Sequence, residues 1–174
     1  MKFPSAVNLT IANLVAGLVL AIASFSAVSA SAQTTGLETA APAPVPSLQG
    51  TWLVYITLVN CQTQAPIAPA FPSLLTFDQG GTMTESTASP AFYPAIRNPA
   101  HGVWSQVSTH HYQSAMMAYI TLNGVPMKTQ TIRQYIGLDE TGQNFTSKAT
   151  IEFDSPAGKP LRRGCAAAIA TRFE

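Results

Sequence analysis

From Gly50 onward, hydrophobic and polar positions alternate with a period of two, the signature of strands. No stretch shows a sustained 3.6-residue period with helix caps. The spacing predicts strands over Thr51–Val59, Ser73–Asp78, Thr82–Ser89, Val103–Ser108, His111–Leu122, Met127–Leu138, Asn144–Asp154 and Leu161–Phe173. Gln79-Gly80-Gly81, Thr109-His110, Asn123-Gly124, Asp139–Gly142 and Ser155–Gly158 supply the turns. Asn123-Gly124 is the strongest hairpin signal among them, because both residues accept positive φ. The first strand is apolar on both faces: Trp52, Val54, Ile56 and Leu58 on one, Leu53, Tyr55 and Val59 on the other. It should be covered on both sides. The segment Asn144–Asp154 alternates most cleanly, with Phe145, Ala149, Ile151 and Phe153 opposite Thr146, Lys148, Thr150 and Glu152.

Eight strands joined mostly by hairpins point to an all-β fold, an eight-stranded antiparallel up-and-down β-barrel. Closure would also remove the exposed edges of a Thr-rich sheet. In such a meander the two long, Pro-containing loops, Asn60–Pro72 and Pro90–Gly102, fall on one rim. The opposite rim receives only short turns. One end is therefore elaborated and the other plain, and binding loops tend to cluster on one end of a rigid scaffold.

The N-terminus changes the setting. Lys2, the apolar run Leu14–Ile22 and Ala30-Ser31-Ala32 have the layout of a secretory signal peptide over residues 1–32. Asn8, Thr10 and Asn13 keep the apolar run below the ~20 residues of a membrane span. Residues 33–48 form a Pro/Ala-rich linker, leaving residues 49–174 for the barrel. The expected address is secreted or periplasmic. In that setting Cys61 and Cys165, the only two cysteines, are expected to pair as a disulfide. If the first and last strands pair antiparallel, the index sums of Cys61 with Cys165 and Trp52 with Arg172 agree within two residues. One closing register then brings both pairs together at opposite ends of the seam.

Gly50-x-Trp52 opening the first strand, with Arg172 near the end of the last, resembles the lipocalin and wider calycin pattern. The resemblance implies that Trp52 closes the plain end and that Arg172 packs across its ring. A guanidinium over an indole is worth ~0.5–2 kcal/mol. The Thr-Asp-Tyr type of motif found in typical lipocalins is absent, so the ligand chemistry of the family does not transfer.

Charge narrows the function. Lys2 is the only charge before residue 33, so the remainder holds eight basic and eight acidic side chains. No one-signed field exists to attract nucleic acid, or a membrane once the signal is removed. No cofactor motif and no Gly-rich phosphate loop is present. His110 and His111 are adjacent and point apart on a strand, and His101 lies elsewhere, so no metal site is expected. No nucleophile–base–acid pattern marks a catalytic residue. What remains is a small apolar ligand at the elaborated end. The candidate ligand-binding residues are Phe77, Met83, Glu85, Phe92, Tyr93, Trp104, Met116 and Tyr119, with Phe92, Tyr93 and Ile96 in a lid. Ile132, Phe145, Ile151 and Phe153 are further inward candidates. Two alternatives stay open: a barrel enzyme of cyclase or isomerase type, with Glu85 as the one inward acid, or a filled structural or interaction barrel.

Overall fold

Alternating residues make strands whose inward faces must meet, and the chain solves this by rolling up. The computed structural model describes residues 46–173. The expected signal peptide, residues 1–32, and residues 33–45 of the expected linker lie outside the described residues. The strands are β1 (Gly50–Val59), β2 (Phe71–Phe77), β3 (Thr82–Thr87), β4 (Ile96–Arg97), β5 (Ala100–Ser108), β6 (His111–Leu122), β7 (Val125–Leu138), β8 (Asn144–Asp154) and β9 (Pro160–Arg172). All pairings are antiparallel. The order is β4-β6-β5-β3-β2-β1-β9-β8-β7, and β6 pairs with β7 to close the ring.

The strands β4 and β5 both lie along β6 and act as one stave broken at Asn98-Pro99, so the barrel has eight. This revises the expectation that Pro90–Gly102 is all loop. Pro99 removes one donor from the ladder, but Asn98 N–H still donates to the Tyr119 carbonyl at 2.9 Å. One missing N–H interrupts pairing without ending it. A single 3-10 turn, Pro90–Phe92, is all the helix in that connection, capped by the Ser89 hydroxyl.

Pairing can be followed around the barrel from Thr51 through Thr76, Thr84, His101, Met117, Thr131 and Glu152 to Arg163. Thr51 itself meets Phe173, whose N–H donates to the Thr51 carbonyl at 2.8 Å, ten residues beyond Arg163. That stagger tilts the strands and sets the width. An eight-stranded barrel of this kind is just wide enough to be filled by side chains or to hold one small ligand. Here both occur, at different heights.

The plain end is filled. Trp52 and Leu48 are fully buried, and the Trp52 indole N–H donates to the Leu48 carbonyl at 2.9 Å. Trp52 meets Phe145 edge-on, and Phe77 meets Phe145 and Trp104. Arg172 covers this cluster, its guanidinium carbon 4.3 Å from the Trp52 ring centroid. Its nitrogens donate to the carbonyls of Ser47, Gln49 and Gly142 at 2.7, 2.7 and 2.9 Å. One side chain thus ties the incoming chain to the β7–β8 turn. In that turn, hydrogen bonds from Asn144 and Thr141 pull the exposed Asp139 carboxyl down to about 2.

Arg172 explains the glycine two residues before Trp52. Gly50 has φ of 121°, and a Cβ there would sit 2.7 Å from Arg172 Nη1. Gly50→Ala is expected to cost ~1–3 kcal/mol in urea unfolding, from a disfavoured backbone and a displaced guanidinium.

The seam between β1 and β9 runs from Trp52 opposite Arg172 to Val59 opposite Cys165. Just beyond it Cys61 and Cys165 form a disulfide, with Cα atoms 5.2 Å apart. The expected barrel, its closing register and the cysteine pairing all stand in the structure.

Candidate functional site

The open half of the barrel contains a cavity of about 250 Å³. Its existence follows from the residues β8 and β9 send inward. Ala149 on β8 and Gly164, Ala166 and Ala168 on β9 are all small, and all line it. The wall to either side, from β1 and β2 beyond β9 and from β7 beyond β8, is larger and apolar: Val54, Ile56, Leu58, Phe71, Leu75 and Ile132. Phe153 and Phe92 stand toward the elaborated rim, with Ile67 of the β1–β2 loop. At Gly164 an added Cβ would meet nothing within 4 Å, so the space beside it is open.

One side of this apolar chamber is polar. On β3 the inward residues are Met83, Glu85 and Thr87. Glu85 is 2 % exposed and pairs with Leu75 across the β2–β3 ladder. Arg97 enters from β4, and its Nη2 lies 2.6 Å from Glu85 Oε2 with both side chains almost wholly enclosed. Ser73 donates its hydroxyl to Glu85 Oε1 at 2.9 Å. Arg97 Nε donates to the side-chain oxygen of Gln130 on β7. Phe92 lies 5.9 Å from the guanidinium carbon. A little further round, Ser147 donates to Gln134 Oε1 at 3.2 Å. Buried charges need partners, and here each member of the pair has another charge and a neutral group. Arg97 Nη1 and Nη2, Glu85 Oε2, Thr87 Oγ1 and Gln134 Nε2 are buried with no hydrogen bond among the described residues, Nη2 and Oε2 meeting only as an ion pair. All four residues line the cavity, as do Lys128 and Arg162.

The structure brings together only some of the residues singled out from the sequence. Glu85, Phe92 and Met116 line the cavity. Phe77, Met83 and Trp104 point inward but belong to the packing of the plain end, away from the cavity wall. Tyr119 faces outward at 59 % exposure, because β6 turns Ala118 and Ile120 inward. Tyr93, at 88 % exposure, and Ile96 point to solvent, so of the proposed lid only Phe92 reaches the chamber. Ile132, Ile151 and Phe153 line it; Phe145 packs under Trp52.

Sequence reasoning missed Arg97, Gln130 and Gln134. The two glutamines had a signal: they share parity with Ile132, Ile136 and Leu138 on β7, the face that points inward. Arg97 had none, since it sits in a Pro-bounded stretch without periodicity. Among the described residues, no group of three or more His, Cys, Asp or Glu is placed to hold a metal. His101 and His111 are exposed on the barrel wall, and His111 stacks on Tyr135.

Fold and site together define a closed up-and-down β-barrel with a plugged end and a small internal chamber opening toward the other. Comparison with protein-family models finds no match, and comparison with curated proteins finds none.

Proposed function

We propose that the chain is a lipocalin-like carrier or sensor, exported from the cytoplasm, that binds one small, mainly apolar molecule at the open end of the barrel. The observation that carries this is the apolar chamber of about 250 Å³ between the disulfide-fastened seam and the Phe92 rim. An apolar hollow of ~150 Å³ holds benzene, so this one suits a molecule of roughly ten non-hydrogen atoms. Gly50, Trp52 and Arg172 in their observed contacts support the lipocalin-like reading. The signal-like N-terminus and the disulfide support export to an oxidising compartment.

The test is native mass spectrometry of protein purified from its own host, beside a Gly164→Leu variant. A Cβ at that position would meet nothing within 4 Å, which leaves room for the added side chain to occupy the chamber. The expected result is a small-molecule adduct on the wild type that Gly164→Leu abolishes while its unfolding midpoint is retained. Bare protein from the host, or an adduct that Gly164→Leu leaves untouched, contradicts the reading.

A barrel enzyme acting on an apolar intermediate is the second reading. It is favoured by one observation, that Glu85 faces the chamber rather than solvent. A released compound of different structure from the one supplied, lost in Glu85→Gln, would select it over simple binding.

A further inference from the structure

We infer that the ligand is an amphipathic anion, with a compact hydrocarbon body inside the chamber and one acidic group at its mouth, held by Lys128 and Arg162. This rests on the binding reading above and adds the ligand's charge and orientation to it.

Strand parity brings the two cations to the mouth. On β7 the inward face runs Gln134, Ile132, Gln130 and then Lys128 toward the open end, and Lys128 pairs with the buried Ile120 of β6. On the next two strands Phe153 of β8 pairs with Gln130 on one side and with Arg162 of β9 on the other. Lys128, Phe153 and Arg162 therefore share the inward face of three neighbouring strands, and all three line the chamber. Lys128 is half-buried, its Nζ 5.0 Å from the centroid of the Phe153 ring, and Arg162 is exposed.

The charges around the chamber do not balance. Its charged lining residues are Glu85, Arg97, Lys128 and Arg162. Glu85 and Arg97 cancel at 2.6 Å, which leaves the two cations. On the outer face, by contrast, Arg133 and Arg163 share Glu152 at 2.7 and 3.3 Å. Neither Lys128 nor Arg162 has an ion-pair partner among the described residues; Asp154, paired with Thr129 in the ladder, reaches neither. An anion at the mouth meets both while water still solvates it. Deeper in, the Glu85 carboxylate already occupies Arg97 and would repel a second anion, so the acidic group belongs at the mouth. The wall below is hydrocarbon, from Ile56, Leu58, Ile132 and Ile151, and sets the character of the body. A neutral molecule gains nothing from the two cations, and an amine is repelled by them.

The test uses three probes of matched skeleton: octanoate, octanol and octylammonium. Their tail of roughly eight carbons suits the size of the chamber. Each is titrated into the purified protein and followed by two-dimensional NMR. Two partly exposed ion pairs are worth enough to favour octanoate over octanol by about fivefold to thirtyfold. That preference should shrink between about 20 and about 300 mM salt, because exposed charges are screened, while octanol affinity holds. In the Lys128→Gln/Arg162→Gln double variant octanoate should weaken to the level of octanol, with octanol unchanged. Arg163→Gln, which removes the neighbouring outward cation, should leave both as in the wild type. The wild-type comparison and its salt dependence stand even if the double variant does not fold. Octanol or octylammonium binding as tightly as octanoate overturns the inference and leaves the binding reading intact. An octanoate preference that survives in the double variant overturns the assignment to Lys128 and Arg162. Binding of none of the three overturns both the inference and the binding reading.

Discussion

Arg97→Met alone is expected to destabilise the barrel by about 3–5 kcal/mol, measured by urea unfolding. The cost comes from the partner left behind. Glu85 is 2 % exposed, and without Arg97 its charge would keep only the Ser73 hydroxyl. Glu85→Gln should also be costly, because it leaves a buried guanidinium with no counter-charge. The Glu85→Gln/Arg97→Met double variant should recover most of the loss, returning to within ~1–2 kcal/mol of the wild type, since buried pairs replaced together are often nearly neutral. A large coupling energy between the two positions is the signature. Additive losses would mean that the two side chains do not meet.

Replacing Cys61 and Cys165 together by serine is expected to cost about 3–5 kcal/mol, near 10–20 °C in melting temperature. The bond joins positions 104 residues apart, so it restrains nearly the whole barrel in the unfolded state. In the chain-entropy model the stabilisation rises with the logarithm of that separation. The position adds to the effect. The disulfide fastens the β1–β9 seam, where the chain must bring its first and last strands together. That pairing is the least local in the fold, and the double variant should fold more slowly as well as melt earlier. A melting temperature within a few degrees of the wild type would show that the seam holds without it.

Much of the fold was legible because antiparallel pairing leaves arithmetic in the sequence. Two independent pairs, one aromatic–cationic and one of cysteines, implied nearly the same register for the closing strands. The structure adopts it, with Trp52 opposite Arg172. Turn chemistry was equally direct: Asn123 and Gly124 both take positive φ, as do Gly80 and Gly81. Parity failed where both faces of a strand are apolar. On β6, Ala115, Met116, Met117, Ala118 and Tyr119 give no period, so Tyr119 could be placed on either face. Only the pairing with β5 and β7 settles it outward.

The site was harder to read than the barrel. Alternation on β3 left open which face carries Glu85, and its partner lies in a segment bounded by Pro94 and Pro99 that reads as loop. Arg97 is delivered by two residues of β4, pairing with the far end of β6. No local pattern announces so short a strand, and its position depends on the curvature of the closed sheet. The chamber is a property of neighbouring strands. The small residues of β8 and β9 make space that the larger ones of β1 and β7 on either side do not fill. The sequence shows that such residues exist, and only the pairing of the strands shows that they lie side by side around one hollow.

The most direct test of the chamber is a methyl-resolved NMR titration with indane. The expected result is saturable shifts of the Ile56, Ile132, Ile151 and Ala166 methyls, which line the open half. The Trp52 indole N–H, held on the Leu48 carbonyl at the plugged end, should stay in place. Open-half methyls that do not move at saturating indane, or shifts centred on Trp52, would contradict a binding chamber at the open end of the barrel.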